Sequence, residues 1–375
     1  MKTKKLGFGA MRLPTLNKNN QETIDQKQLQ QMVDYYMQHG YNYFDTAYTY
    51  HQGQSEKALK KALIERYPRE SYILADKMPL FFLTEEKQLE QYFQEQLKRC
   101  GVEYFDYYLL HNISQWTRNA FENIPSFQFL KQKKQEGKIK HIAISYHDNS
   151  TMLDEILTQH PEIEMVQLQI NYLDWNNTTI EAQKCYQTAK KHKKPIVIME
   201  PIKGGLLTQI PYPAIQELQK HHPTLSPAAW ALRFTTSLDN VITVLSGMSN
   251  LQQLKENINT LETTTKLKPE EYKTLEKVVK IINQNPAIPC TTCNYCLETC
   301  PNNILIPKYF ELYNNEKQGE SQGFSTHQVY YRTYALKNGK ASDCNQCGEC
   351  EKQCPQHIPI RKHLKEIYEI FEKTM

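Results

Sequence analysis

The chain has 375 residues, with 45 basic against 41 acidic side chains and a formal charge of +4, a balance that signals no nucleic-acid partner. Its length exceeds what one compact domain usually needs, so two domains of unequal size are expected. No run approaches the roughly 18 uncharged apolar residues of a membrane helix, and the opening MKTKKLGFGAMRLP is broken at Arg12 and Pro14; neither membrane insertion nor a signal peptide is expected, and the protein reads as soluble and cytoplasmic.

From the N-terminus to about residue 285, short β-branched or aromatic runs alternate with segments of helical period, the pattern of βα units around a parallel sheet. After LGFGA, strand-like runs fall at 41–45, 71–77, 104–111, 139–145, 165–169, 195–199 and 241–245, which makes eight. Between them Leu29, Met32, Val33 and Tyr36 follow a helical stripe that stops at Gly40, and Leu89, Tyr92, Phe93 and Leu97 behave likewise before Gly101. Strand ends recur at residues 45, 77, 111 and 145, spacings that suit one strand, one helix and two short loops per unit. Eight such units predict a (β/α)8 TIM barrel over residues 1–285.

In such a barrel the chemistry sits at the C-terminal ends of the strands. Asp45, Lys77 and His111 end three successive runs, and Tyr50 follows Asp45 within FDTAYTYHQGQSE. Alone, each has an ordinary reading: a helix-start Asp, a surface Lys, a packing Tyr, a satisfied core His. Together, in this order and spacing, with LGFGAMRLP before them and GMSNLQQLKEN at 247–257, they resemble the aldo-keto reductase family, whose Asp, Tyr, Lys and His tetrad matches these positions. The resemblance covers roughly the first three quarters of the chain. It implies a nicotinamide-dependent oxidoreductase that reduces an aldehyde or ketone, or oxidises an alcohol. Tyr50 is then the general acid, Lys77 lowers the phenol pKa, Asp45 keeps the ammonium charged and oriented, and His111 orients the substrate oxygen.

The same resemblance places Ser145 and Gln167 against the nicotinamide carboxamide, with Asn171 nearby, and Met199 where an aromatic ring often stacks on the nicotinamide. Tyr146 stands where the family often has Asn. Gly204 and Gly205 allow backbone to approach a pyrophosphate closely. Glu256 and Asn257 match the adenine-side pattern, whereas Gly247 and Gln253 stand where NADP-preferring relatives carry Lys and Arg. The cofactor is therefore NADP or NAD, with NADP preference not to be assumed. Phe81, Phe82 and Trp116, in the segments 79–85 and 112–127, are candidates for an apolar substrate pocket. Cys100 and Cys185 fall on apolar helical positions and read as packing.

The composition changes at Asn283-Gln284-Asn285-Pro286-Ala287-Ile288-Pro289, where two prolines and three amides stop a helix and mark a domain boundary. Beyond it, 290–301 reads CTTCNYCLETCP and 344–355 reads CNQCGECEKQCP, so each is C-x2-C-x2-C-x3-C-P. Zinc is the alternative for clustered thiolates, but zinc sites usually pair two C-x2-C knuckles. The region resembles bacterial two-cluster ferredoxins, in which the fourth cysteine of each motif ligates the other cluster. That resemblance implies a small α+β ferredoxin-like domain over 286–375 with two [4Fe-4S] clusters. One takes Cys290, Cys293, Cys296 and Cys354, the other Cys344, Cys347, Cys350 and Cys300. The polar, poorly periodic YNNEKQGESQGFSTHQ between the motifs predicts a mobile loop or a docking surface.

A nicotinamide delivers two electrons as hydride, whereas such a cluster normally accepts one, and no flavin-like converter is legible. Three functions follow. The chain is a reductase or dehydrogenase acting on a small carbonyl or alcohol, its clusters structural or docking a redox protein partner. Alternatively it is an electron-transfer protein, or a regulatory barrel resembling the potassium-channel β subunits. The complete tetrad favours the first, because a site that only binds has no use for a tuned proton donor.

Overall fold

All eight expected strands form, and they close on themselves, in the computed structural model, which describes residues 3–17, 20–318 and 325–373. The strands are β1 Leu6–Gly9, β2 Thr15–Asn17, β3 Asn20–Ile24, β4 Tyr43–Asp45, β5 Ile73–Met78, β6 Phe105–Ile113, β7 Ile139–Tyr146, β8 Met165–Gln169, β9 Ile196–Met199 and β10 Val241–Gly247. β1 and β4 to β10 are parallel neighbours around the ring, which closes where Gly9 pairs with both Gly247 and Asp45. β2 and β3 make a separate antiparallel hairpin that the sequence reading did not anticipate. Its residues TLN and NQETI carry no apolar alternation to mark it.

The strands read as near-continuous apolar runs because both faces are covered. Tyr43, Ile73, Ala75, Leu109, Ala143, Met165, Val197 and Leu245 fill the interior. Phe44, Leu74, Leu110, Ile144, Val166, Ile198 and Val244 belong to the larger core shared with the surrounding helices. The helices begin where the side chains dictate. Asp25, Asn149, Ser226 and Asn250 each accept a hydrogen bond from a first-turn backbone N–H, capping Gln26–Gln38, Ser150–Gln159, Pro227–Ser237 and Leu251–Thr263. Helix Lys87–Cys100 ends at Gly101, whose φ of 73° is the left-handed conformation that favours glycine. Cys100 and Cys185 are buried, as expected of packing residues.

Helix Pro269–Ile282 precedes the amide- and proline-rich segment, and Ile288 is already fixed on the other side by two hydrogen bonds with the Asn314 side chain, 2.7 and 2.8 Å. The α+β expectation for the C-terminal region needs correction. Its described residues are helical, with helices Ile306–Lys317, Thr326–Ala335 and Ile360–Phe371 and two short turns Tyr295–Glu298 and Glu349–Lys352. The β content reduces to one bridge between Ile304 and Gly339. The apolar runs after each motif are short and meet Pro307 or Pro359, which lack the N–H a ladder needs but suit a helix start.

Of the stretch expected as a loop or docking surface between the motifs, Tyr313–Lys317 continue one helix and Thr326 opens the next, while 319–324 lie outside the described residues. Tyr309, Phe310, Leu312 and Tyr313 on one helix and Val329, Tyr330 and Tyr331 on the other are buried. A face built so largely of tyrosine reads as polar in the sequence yet buries large rings.

Candidate functional site

The adjacent strands β4, β5 and β6 bring the expected tetrad together at one end of the barrel. Asp45 is the last residue of β4, Lys77 lies one residue from the end of β5, and His111 lies near the end of β6. Tyr50 opens the turn that follows β4. Lys77 Nζ donates to Asp45 Oδ1 at 2.6 Å and to the Thr46 carbonyl at 2.7 Å, and it lies 3.4 Å from the Tyr50 hydroxyl. Lys77 and Asp45 are 1 % and 2 % exposed, so neither is a surface side chain. The Tyr50 and His111 rings stand edge to face with centroids 6.1 Å apart.

Burial disfavours the Lys77 ammonium, but Asp45 and Tyr50 outweigh it and hold its pKa above the ordinary lysine value. Burial pushes the Tyr50 phenol up to about 12, against the pull of Lys77. Lys77 acts in the expected direction, lowering the phenol pKa by its charge and hydrogen bond, but desolvation outweighs it. Burial, then the charge on Lys77 and the neighbouring His147, hold His111 well below the usual imidazole range, so it is neutral at physiological pH. Its Nδ1 is buried without a partner.

Around the ring, Ser145 on β7 and Gln167 on β8 are direct register partners. Ser145 Oγ accepts from the Asn112 amide at 2.9 Å. Gln167 Oε1 is buried without a hydrogen-bond partner, and its amide nitrogen approaches the Met199 sulfur at 3.7 Å. An inward amide oxygen left unsatisfied in a native site calls for a ligand donor, and a carboxamide N–H meets that need. Asn171 is turned to protein partners, Asp174 Oδ2 at 2.8 Å and the Glu200 carbonyl at 3.1 Å.

Gly204 and Gly205 take φ values of 66° and 103°, and nothing lies within 4 Å of where a Cβ on Gly205 would stand. That is the bare backbone a pyrophosphate needs. Farther out, Gly247 is exposed. Gln253 Oε1 accepts from the Ser249 amide at 2.7 Å, and Glu256 Oε1 accepts from Gln252 at 2.8 Å. Asn257 is buried, its amide donating to Ser246 Oγ at 3.1 Å.

One residue at this face was missed. The Arg12 side chain runs over Gly247, and its Nη2 lies 3.0 Å from where a Cβ on Gly204 would be. The turn after β1 thus brings a guanidinium beside Gly204 and Gly247. The signal was available: in a closed barrel the first and last strands are neighbours, so LGFGAMR must end beside GMSN. Of the aromatic candidates, Phe81 packs its ring 5.5 Å from His111 and stacks on Trp116 at 6.1 Å, whereas Phe82 is 46 % exposed.

In the C-terminal region the eight cysteines divide as the crossed pairing requires. One cavity is lined by Cys290, Cys293, Cys296 and Cys354, and a second by Cys300, Cys344, Cys347 and Cys350. All eight are free thiols. Among the described residues, the close group of three potential ligand atoms, within 4.8 Å of one another, is Glu56, Asp76 and Cys100 in the barrel, not any three of these sulfurs. A wider spread of four thiols around a cavity fits a cluster better than one tetrahedral zinc. The two halves repeat one backbone pattern: Thr292, Asn294 and Asn303 in the first and Gln346, Gly348 and His357 in the second all have φ between 51° and 81°. Left-handed residues at matching places turn the chain around each cavity, and amides so turned favour anionic sulfur.

Comparison with known proteins agrees with this geometry. The model of the aldo/keto reductase family matches residues 5–280, and that of a 4Fe-4S dicluster domain matches 289–359. The chain is similar to the uncharacterised oxidoreductase YqkF of Bacillus subtilis, 25 % identical over 73 % of this chain and 92 % of that protein. It is also similar to L-galactose dehydrogenase of Arabidopsis thaliana, 27 % identical over 58 % of this chain and 73 % of that protein. Among solved structures, the holo form of aldo-keto reductase AKR11C1 from Bacillus halodurans superposes with a TM-score of 0.60 at 25 % identity, covering 74 % of this chain and 96 % of that one. The chain belongs to the aldo/keto reductase family of NAD(P)-dependent oxidoreductases and carries a 4Fe-4S dicluster domain after its barrel.

Proposed function

We propose that the barrel reduces an aldehyde or ketone, or oxidises the corresponding alcohol, with NADP or NAD as hydride partner. The observation that carries this reading is the buried Lys77–Asp45 ion pair with its ammonium 3.4 Å from the Tyr50 hydroxyl. Bound against Ser145, Gln167 and Met199, a nicotinamide supplies or takes up the hydride. Tyr50 gives its proton to the substrate oxygen as negative charge develops there. Lys77 stabilises the charge left on the phenolate, and Asp45 keeps the ammonium charged and in place. Neutral His111 donates a ring N–H to the same oxygen and sets its direction. Arg12, beside Gly204 and Gly247, supports binding of the cofactor phosphates and makes NADP a sound partner despite Gly247 and Gln253. Gly204 and Gly205 give the pyrophosphate its backbone approach, and Glu256 and Asn257 face the adenine end.

The domain from residue 286 onward holds two [4Fe-4S] clusters in this reading, in the crossed pairing Cys290, Cys293, Cys296, Cys354 and Cys344, Cys347, Cys350, Cys300. Each cluster supplies a one-electron couple when bound. Hydride transfer is complete in electrons without one, so the clusters serve structure or exchange with a redox protein. Cys293 and Cys347, one per site, are exposed, which supports docking of such a partner. Eight cluster-ligating cysteines, none of them paired in a disulfide, suit a reducing, cytoplasmic compartment.

The test is turnover of an aldehyde and ketone panel with NADH and NADPH by the iron-loaded protein and its Tyr50→Phe variant. We expect kcat to fall by roughly 10²–10⁴-fold in the variant, the usual contribution of a positioned general acid, with cofactor affinity retained. Unchanged turnover would remove Tyr50 from the chemistry.

A further inference from the structure

The segment between the two cysteine motifs reaches back to the barrel. Helix Thr326–Ala335 sets Arg332 over Trp116, its guanidinium carbon 4.5 Å from the ring centroid. From there a continuous aromatic column leads to the candidate tetrad. Trp116 lies parallel to Phe81, within 3° and 6.1 Å, Phe81 meets His111 at 5.5 Å, and His111 faces Tyr50. The docking is fixed elsewhere too: Lys308, on the preceding helix, donates to Thr179 of the barrel at 3.2 Å, and Tyr330 is buried.

Among the described residues Arg332 is spent on no protein acceptor. Among the described residues its side chain has no ion pair, and its Nε is shielded from solvent without a hydrogen-bond partner. Burial alone shifts its pKa, downward, with no carboxylate offsetting it. Stacking on an indole recovers part of the desolvation cost of a guanidinium, but leaves its donor fork unmatched. A partly buried cation that keeps its donors free at the far end of an aromatic column leading to the tetrad is arranged for an anion. The column stands over the loops after β5 and β6, whereas the candidate cofactor contacts lie on β7 to β10 and the loops after β9 and β10, so the anion belongs to the substrate rather than to the dinucleotide.

We propose that the iron–sulfur domain completes the substrate pocket of the barrel, and that Arg332 binds an anionic group, a carboxylate or a phosphate, at the end of the carbonyl or alcohol substrate remote from the reacting carbon. This rests on the carbonyl-reductase reading above and narrows it to acidic substrates. It gives the fusion of the two domains a role that needs no electron flow between them.

The experiment uses the full-length, iron-loaded protein, its Arg332→Leu variant and its Arg332→Lys variant. Substrates are matched pairs of aldehydes of increasing chain length: ω-oxo carboxylic acids against the unsubstituted aldehydes, and ω-phosphorylated aldehydes against their hydroxy counterparts. The expected result is a loss in kcat/KM of roughly 10- to 100-fold for the charged members alone in Arg332→Leu, the size of one charge-assisted hydrogen-bonded contact. Partial recovery is expected in Arg332→Lys, and the more affected series distinguishes carboxylate from phosphate. Equal losses for charged and neutral members, or none, would overturn the proposal. If no aldehyde is turned over, the carbonyl reading fails by itself. Calorimetric titration with the non-reducible dicarboxylates and bisphosphates then decides the role of Arg332: binding weakened in Arg332→Leu supports it, and binding unchanged or absent refutes it.

Discussion

At the scale of residues, the site combines two buried charges with a phenol that stays protonated. Because burial holds Tyr50 at about 12, the group is a competent acid through the whole physiological range but a scarce base. This gives the reaction a sign. Carbonyl reduction needs the protonated phenol, so its kcat/KM should be flat from neutral pH to near 11. Alcohol oxidation needs the phenolate, and its kcat/KM should climb about tenfold per pH unit over the same span. Initial rates in both directions across pH check this, and oxidation that levels off near neutrality would mean the phenol is tuned further than the protein alone tunes it. Asp45, Tyr50, Lys77 and His111 were legible because strand ends in a barrel fix where polar residues can act. Arg12 was legible only through the closed ring, because its place depends on β1 meeting β10 rather than on anything local in the sequence.

At the scale of elements, the barrel strands announced themselves through apolar runs bounded by turns, and the helices through their stripes and caps. The β2–β3 hairpin carries only Leu16 and Ile24 among polar residues, and the helices between the cysteine motifs bury tyrosines, so neither shows the period that betrays an element. Those helices depend on the phenol groups they bury. Tyr331 accepts from the Ala341 amide at 2.8 Å and donates to Glu372, tying helix Thr326–Ala335 to the end of helix Ile360–Phe371. Tyr331→Phe should lower stability by about 1–3 kcal/mol, since it strands a buried amide as well as removing a bond. A thermal melt of the iron-loaded variant measures it, and a melting curve identical to that of the parent would show the network to be dispensable.

At the scale of the molecule, the two domains were separable in the sequence, but their contact was not. Nothing local tells that a polar segment between two cysteine motifs will return to cover Trp116. Each cavity draws on both motifs, so the proposed crossed pairing would make the second domain one cooperative unit. Cys354→Ala should therefore damage the cluster of the first motif and Cys300→Ala that of the second. Each variant should retain about half the iron and sulfide, with one of two EPR signals lost. Retention of both signals in either variant would argue for uncrossed sites. Among the described residues no helix is long and apolar enough to cross a membrane.

The account stands most directly on an anaerobic titration of the iron-loaded protein with NADH and NADPH, following absorbance at the nicotinamide band and cluster EPR together, with and without a carbonyl. It predicts that the nicotinamide is oxidised only when a carbonyl is present, that Tyr50→Phe abolishes this, and that the clusters stay silent throughout. Reduction of the clusters by the nicotinamide alone, undisturbed by Tyr50→Phe, would contradict it and make the protein an electron carrier.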